Sequence, residues 1–203
     1  VNEQRIAEAY SLRAAEYAEL LGAMSAVAAP DIDLVNRWSA GVSGKILDLG
    51  CGPGHWTAHL ASQGKAVLGV DPSEEFIRHA RNKHPHLDVH EGGTTWLELS
   101  GEQFGGILAW YSLIHVVPER REGELRRVAH ALRPGGSLLM GYFDGDESVA
   151  FDHAITTAYW WPRGELATLM RTVGLRVEEI HHRHDPGARP HGAIVATRAG
   201  PQS

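Results

Sequence analysis

Residues 46–54 read Ile-Leu-Asp-Leu-Gly-Cys-Gly-Pro-Gly, and residues 67–73 read Val-Leu-Gly-Val-Asp-Pro-Ser. The first run predicts a buried strand over 45–49, a glycine-rich turn, and a helix from near Gly54 to Gly64. A second strand over 65–70 then ends in Asp71. Gly50, Gly52 and Gly54 lack a Cβ, so the chain can turn sharply and a ligand can approach the backbone. An acid at the end of the second strand is placed to accept hydrogen bonds from two ribose hydroxyls. Strand, turn, helix and strand-end carboxylate together predict a nucleotide- or nucleoside-binding half of an α/β fold. A dinucleotide fingerprint, G-x-G-x-x-G, needs a last glycine where the helix meets a pyrophosphate; here that residue is His55.

Outward from this unit the pattern alternates. Toward the N-terminus, Ile6, Tyr10, Arg13, Tyr17, Leu20, Leu21 and Met24 recur at helical spacing, Pro30-Asp31 interrupts them, and a short helix follows to Ala40. Toward the C-terminus, Ser73 caps a helix with Glu74 and Glu75 in its first turn, where the macrodipole favours anions. Strands are expected over 87–90, 104–111 and 137–142, with a helix between Pro118 and Arg133. Pro162 to Gly174 reads as a further helix, and 175–181 and 192–198 as the last strands. Strand–helix alternation means a parallel, doubly wound sheet. One domain over 1–203 is expected, with 1–43 a helical extension and 44–198 the α/β core.

Composition narrows the partners. The chain has 203 residues and a net charge of −6, which argues against general affinity for nucleic acid. Arg120, Arg121, Arg126, Arg127 and Arg133 are expected to spread over the solvated face of one helix. The single cysteine, Cys51, excludes an intramolecular disulfide framework. The first twenty residues mix charges and no apolar run is long enough to span a bilayer, so a cytoplasmic protein without membrane contact is expected.

The Gly turn resembles motif I of the class I S-adenosylmethionine-dependent methyltransferases, and VLGVDPS (67–73) resembles their next motif. FGGILAWYSLIHV (104–116), LRRVAHALRPGGSLLM (125–140) and YWWPRGELATLMRTVGLRV (159–177) resemble later motifs of that family, in its order and approximate spacing. The resemblance implies a Rossmann-like seven-stranded sheet of order 3-2-1-4-5-7-6, with strand 7 antiparallel and an N-terminal helical lid. It implies S-adenosylmethionine as methyl donor, S-adenosylhomocysteine as product, and no metal. Carried over residue by residue, it puts the methionine moiety over Gly50, Cys51 and Gly52, with Asp48 organising the turn from behind. Asp71 holds the ribose, and Pro72 and Ser73 lie beside the adenine. Gly92 to Leu97 match the place where the family often has Gly-Asp-x-x-x-Leu. Gly93 replaces that acid, leaving the adenine to Thr94, Thr95 and packing by Trp96. Gly105 likewise stands where many relatives have Asp. Tyr10, Arg13 and Tyr17 form a polar stripe suited to a lid, with Arg13 or Tyr10 meeting the methionine carboxylate; the same tyrosines also suit an ordinary helix core.

In open α/β sheets the ligand lies beyond the carboxyl ends of the strands. The residues expected there are Tyr111, Ser112 and His115, then Tyr142, Asp144, Tyr159 and Trp160, and finally Arg183 and His191. This aromatic, partly basic set suits a small aromatic or anionic molecule carrying an oxygen or nitrogen nucleophile. His115 is the first candidate base, because imidazole titrates near neutral pH; the competing reading is a histidine hydrogen-bonded beneath its loop. His191 and Asp144 are alternatives. His84, His86 and His90, and His181, His182 and His184, lack a companion acid or cysteine and read as surface groups rather than metal ligands. The loss of acids at Gly93 and Gly105 motivates a second reading, a non-catalytic S-adenosylmethionine-binding regulatory or assembly protein. The oligomeric state is not legible.

Overall fold

The computed structural model describes Arg5, Glu8, Tyr10 and residues 22–200. Arg13 and Tyr17 lie outside the described residues. Helix α1 (Ala29–Gly41) leads to strand β1 (Ile46–Leu49), helix α2 (His55–Ser62) and strand β2 (Val67–Asp71). Helix α3 (Glu74–Lys83), strand β3 (Asp88–Glu91), helix α4 (Thr94–Ser100) and strand β4 (Phe104–Trp110) follow. Helix α5 (Arg121–Ala131) and strand β5 (Leu132–Phe143) precede a small hairpin of β6 (Ala150–Phe151) and β7 (Ala158–Tyr159). Helix α6 (Arg163–Thr172) and strands β8 (Leu175–Arg183) and β9 (His191–Arg198) complete the described chain.

The seven-stranded sheet has the order β3-β2-β1-β4-β5-β9-β8, with β9 antiparallel to both neighbours. This is the expected 3-2-1-4-5-7-6 arrangement when the strands of the main sheet alone are counted. Its central strands are buried on both faces: Leu47, Leu49, Ile107 and Leu138 pack with Leu97, Leu125, Val128 and Met170. On the other face Ile46, Leu108 and Leu139 pack with Leu34, Val35, Trp38 and Leu60. Each such aliphatic side chain withdrawn from water stabilises by about 1.5–3 kcal/mol. The alternation fixes strand facing, so the strand ends, rather than the faces, are left for ligands.

Residues 94–100 form helix α4, and the segment after β5 holds the β6–β7 hairpin. Arg121 is not on a solvated face: it is 2% exposed, stacks on Trp161 with its guanidinium carbon 3.9 Å from the ring centroid, and donates to Ser148 Oγ and the Trp160 carbonyl. Helical periodicity could not see Trp161, which arrives from forty residues further along the chain.

Two glycines are dictated by packing. Gly50 sits at φ +73, and a Cβ there would lie 2.2 Å from Ser112 Cβ. At Gly105 a Cβ would lie 1.7 Å from the Ser43 carbonyl oxygen. No side chain fits at residue 105, which accounts physically for the missing acid.

Candidate functional site

The turn after β1 is held by β2. The N–H groups of Gly50 and Cys51 donate to the Val70 carbonyl at 2.7 and 3.0 Å. Gly52 N–H donates to Asp71 Oδ2, and Ser73 N–H to Asp71 Oδ1, each at 2.9 Å. Asp71 is thus clamped by two backbone donors, and each oxygen keeps a further lone pair. Burial raises its carboxyl to about 6, against the lowering effect of those two bonds. Asp48 lies beneath the turn, 1% exposed, and accepts from Thr57 Oγ1 at 2.6 Å, which ties β1 to α2. Desolvation raises its carboxyl to about 7. The Cys51 thiol, also buried, is pushed up, which suits a packing residue and not a nucleophile.

A cavity of about 520 Å³ opens over this turn. Gly50, Cys51, Gly52, Asp71, Pro72 and Ser73 form one part of its wall, and Tyr10 reaches it from the N-terminal segment. Open space surrounds the position a Gly52 Cβ would take. A smaller cavity of about 80 Å³ adjoins it, bounded by Pro72, Gly93, Thr94, Leu113, His115 and Glu124 among others. There Thr94 Oγ1 donates to the buried Glu124 carboxylate, which also pairs with Arg120 and Arg127. Thr95 is exposed, and Trp96 packs beside Gly92 and the His90 ring, so neither lines these cavities.

The other end of the large cavity is aromatic. Phe143, His191 and Arg183 are register partners across β5, β9 and β8, so the sheet brings them to one edge. Tyr111, Ser112 and His115 arrive from the end of β4. Tyr111 holds a left-handed backbone, φ +56, a conformation that costs a bulky residue about 1–3 kcal/mol. Its hydroxyl bonds His191 Nδ1 at 2.5 Å, and burial pushes the phenol up. Arg183 donates to both oxygens of Asp31 at 2.7 and 3.1 Å and to Asp185 at 2.7 Å.

The remaining predicted residues are elsewhere. Tyr142 is fully buried against Gly192, on the opposite side of β5 from Phe143. Asp144 is 3% exposed and bound to His182 and Arg163. Trp160 stacks on Phe151 with centroids 4.5 Å apart, behind Phe143, and neither Trp160 nor Tyr159 borders the cavity. Among the described residues no three His, Cys, Asp or Glu side chains converge as metal ligands.

Sequence reasoning missed His55, Asp31, Trp110, His153 and Ile155, all on the cavity wall. His153 and Ile155 could have been sought in the segment after β5, which the topology delivers to the ligand edge. Nothing local marked Asp31. The spare lone pairs of the clamped Asp71 carboxylate and the open space at Gly52 fit a nucleoside-bearing molecule.

Comparison with known proteins agrees. A family model described as a methyltransferase domain matches residues 46–136. An uncharacterized methyltransferase of Staphylococcus carnosus is 23% identical over 164 residues, 73% of this chain and 78% of that protein. The chain aligns to 44–60% of the length of the next four curated relatives. Among solved structures, the Burkholderia thailandensis 1,6-didemethyltoxoflavin-N1-methyltransferase, with 1,6-didemethyltoxoflavin and S-adenosylhomocysteine bound, superposes with TM-score 0.75 at 21% identity, covering 98% of this chain and 91% of that one. The (4+2)-cyclase SpnF superposes with TM-score 0.79 at 15% identity, covering 98% of each chain. The family model, the Gly turn and the sheet order together give this chain a methyltransferase domain over residues 46–136 on a Rossmann-like fold.

Proposed function

We propose that the protein transfers a methyl group from S-adenosylmethionine to an oxygen or nitrogen nucleophile of a small molecule bound in the same cavity. The observation that carries this reading is continuity. The cavity over the clamped Asp71 carboxylate runs without interruption to the aromatic wall at Tyr111 and Phe143. S-adenosylmethionine, when bound, supplies a methyl group already activated on a sulfonium. The chain therefore has chiefly to orient the reactants, which contributes about 7–11 kcal/mol in well-ordered cases.

In this reading the backbone of Gly50, Cys51 and Gly52 carries the methionine moiety, and Asp71 accepts from the ribose hydroxyls. Pro72, Ser73, Gly93 and Thr94 border the adenine. Tyr10 closes the cavity, and Arg13 and Tyr17 keep their assignment to the lid. Tyr111, Ser112, Arg183 and His191 border the methyl acceptor. His115 is a positioning residue: its Nδ1 lies 2.7 Å from the Thr157 carbonyl, which can only accept, so Nδ1 carries the proton. Nε2 then accepts from Tyr10 Oη at 2.8 Å, and both nitrogens are engaged.

The competing reading, a binder without transferase activity, rested on the lost acids at Gly93 and Gly105. Gly105 is set by contact with Ser43, which removes half of that argument. Incubation with methyl-tritiated S-adenosylmethionine and a broad panel of phenols, amines and heteroaromatics separates the two. Labelled product is expected; tight cofactor binding with no turnover across the panel favours the non-catalytic binder.

A further inference from the structure

The small cavity of about 80 Å³ beside the clamped Asp71 has a polar end that orienting a methyl acceptor leaves unused. Gly50, Pro72, Ser112 and His115 border both this cavity and the large one. Thr94, Arg120 and Glu124 border the small cavity alone and mark its far end. Most of its remaining wall is apolar, formed by Leu113, Val116 and Val117 with Leu49. A slot of this kind, apolar with a polar terminus, receives a flat ring carrying a polar edge.

Glu124 is turned inward. It pairs with Arg120, just before α5, and with Arg127, within it, each at 3.0 Å. Ion pairs at this helical spacing commonly leave both partners in water. Here the two arginine side chains stay 51% and 26% exposed, while that of Glu124 is 7% exposed. The carboxylate is therefore the member of the network delivered to the cavity, and a buried carboxylate is costly unless its lone pairs are met.

Those lone pairs are not all met. A carboxylate offers about four acceptor sites. Arg120 takes one on Oε1, while Thr94 Oγ1 and Arg127 take two on Oε2. One site on Oε1 stays open. The Thr94 hydroxyl has a single proton and gives it to Glu124, so what its oxygen still offers is lone pairs. Arg120 is the one Lys or Arg on this wall among the described residues, and it lies half in solvent with Nη2 directed at Glu124 Oε1. The buried part of the far end thus accepts hydrogen bonds and does not donate them.

We infer that Glu124, oriented by Thr94, accepts a hydrogen bond from the exocyclic amino group of the donor's adenine, and that this carboxylate selects adenine over a 6-oxo purine. This rests on the methyl-donor reading above, in which Asp71 holds the ribose and Pro72 borders the base. Pro72 is common to both cavities, so a base beside it enters the small one, and the far end meets the purine edge opposite the sugar. An amino group there fills the open site on Oε1. A carbonyl oxygen at the same position, as in hypoxanthine, sets lone pair against lone pair and leaves that site unfilled. Glu124 is a specificity-determining residue in this account and takes no part in the methyl transfer itself.

The test titrates the full chain calorimetrically with S-adenosylhomocysteine, its 6-deamino counterpart and S-inosylhomocysteine. Wild-type affinity is expected to fall in that order, with at least about 100-fold between first and last. Glu124→Gln replaces one carboxylate oxygen by an amide N–H donor, and the ratio is expected to drop to within about tenfold, chiefly through tighter binding of the inosyl compound. A general loosening of the fold weakens all three ligands alike and leaves the ratio unmoved. Thr94→Val removes the bond that orients the carboxylate, so its ratio is also expected to fall, and it decides the matter if Glu124→Gln loses its cooperative melting curve. Wild-type affinity for the deamino or inosyl compound equal to or above that for S-adenosylhomocysteine, or an unaltered ratio in the folded variant, would overturn the inference. Failure of all three compounds to bind the wild type would instead overturn the methyl-donor reading on which it stands.

Discussion

His115 and His153 pack edge to face, yet only His115 is anchored, bridging the Thr157 carbonyl and the Tyr10 hydroxyl. The anchored ring joins the end of β4, the segment before β7 and the N-terminal segment. His115→Asn is therefore expected to lower the melting temperature, as losing about 1–3 kcal/mol of buried hydrogen bonding implies, and to raise KM for the acceptor. The pH profile of kcat is expected to keep its shape, since His115 moves no proton. A lost ionisation limb in that profile, with stability unchanged, would make His115 the base.

Cofactor affinity is expected to depend on pH through Asp71. Burial raises its carboxyl to about 6, and ribose hydroxyls need the ionised form as acceptor. Affinity for S-adenosylhomocysteine should be constant above about pH 7 and weaken by about tenfold per unit well below pH 6. Asp71→Asn should bind weakly at every pH. Calorimetry between pH 5 and pH 8 checks both; affinity independent of pH contradicts the assignment.

Stability of the ligand-free protein follows a different balance. Asp48 and Asp71 have folded values raised to about 7 and 6, so the folded state binds extra protons from those values down to the ordinary carboxylate range. Their contribution grows as pH falls through that window and is lost as pH rises through the raised values. His55 and His153 are lowered to about 4, so their contribution is present above pH 6.5 and is lost as pH falls toward 4. The two pairs oppose each other, but burial also lowers His59, His84, His115 and His191, so the melting temperature is expected to fall with acidification between about pH 6.5 and pH 5. Asp48→Asn and Asp71→Asn together should remove the opposing side and steepen that fall.

Gly105→Ala is expected to destabilise the fold by about 1–3 kcal/mol or more, since its Cβ would sit inside the contact distance of the Ser43 carbonyl. Gly105→Asp, which restores the acid of many relatives, is expected to be worse. Chemical denaturation measures both; an unchanged midpoint for the Asp variant would show that the loop before β1 gives way easily.

Arg121→Met keeps much of the side-chain volume and removes the guanidinium that stacks on Trp161 and holds Ser148 and the Trp160 carbonyl. Because those partners flank the β6–β7 hairpin that carries His153, the variant is expected to raise KM for the acceptor more than for the cofactor. Equal effects on both would mean that the hairpin is held by other contacts.

What could be read from the sequence was what the chain decides locally. Gly50, Gly52 and Asp71 are dictated by one turn and one strand end, and Ser73 caps α3 through its bond to the Phe76 N–H. Strand order follows from strand–helix alternation. The acceptor end was legible only as a set of loops, because its decisive pairs are distant in sequence. Arg183 meets Asp31 across 152 positions, a pairing that no local pattern marks. From the sequence Tyr142 reads as a cavity residue, because the end of β5 can be located but its facing cannot; a shift of one residue exchanges Tyr142 for Phe143. His153 sits in a segment without helical or strand periodicity, where sequence offered no frame.

Whether the Gly turn and Asp71 hold the methyl donor is decided by calorimetric titration of S-adenosylhomocysteine into the wild type and Asp71→Ala. Loss of two hydrogen bonds to a buried carboxylate predicts an affinity lower by about 100-fold, at about 1.5–3 kcal/mol for each charged bond before compensation, with the melting curve of the free protein still cooperative. Equal affinity in the two proteins, or no binding to the wild type, would contradict the account.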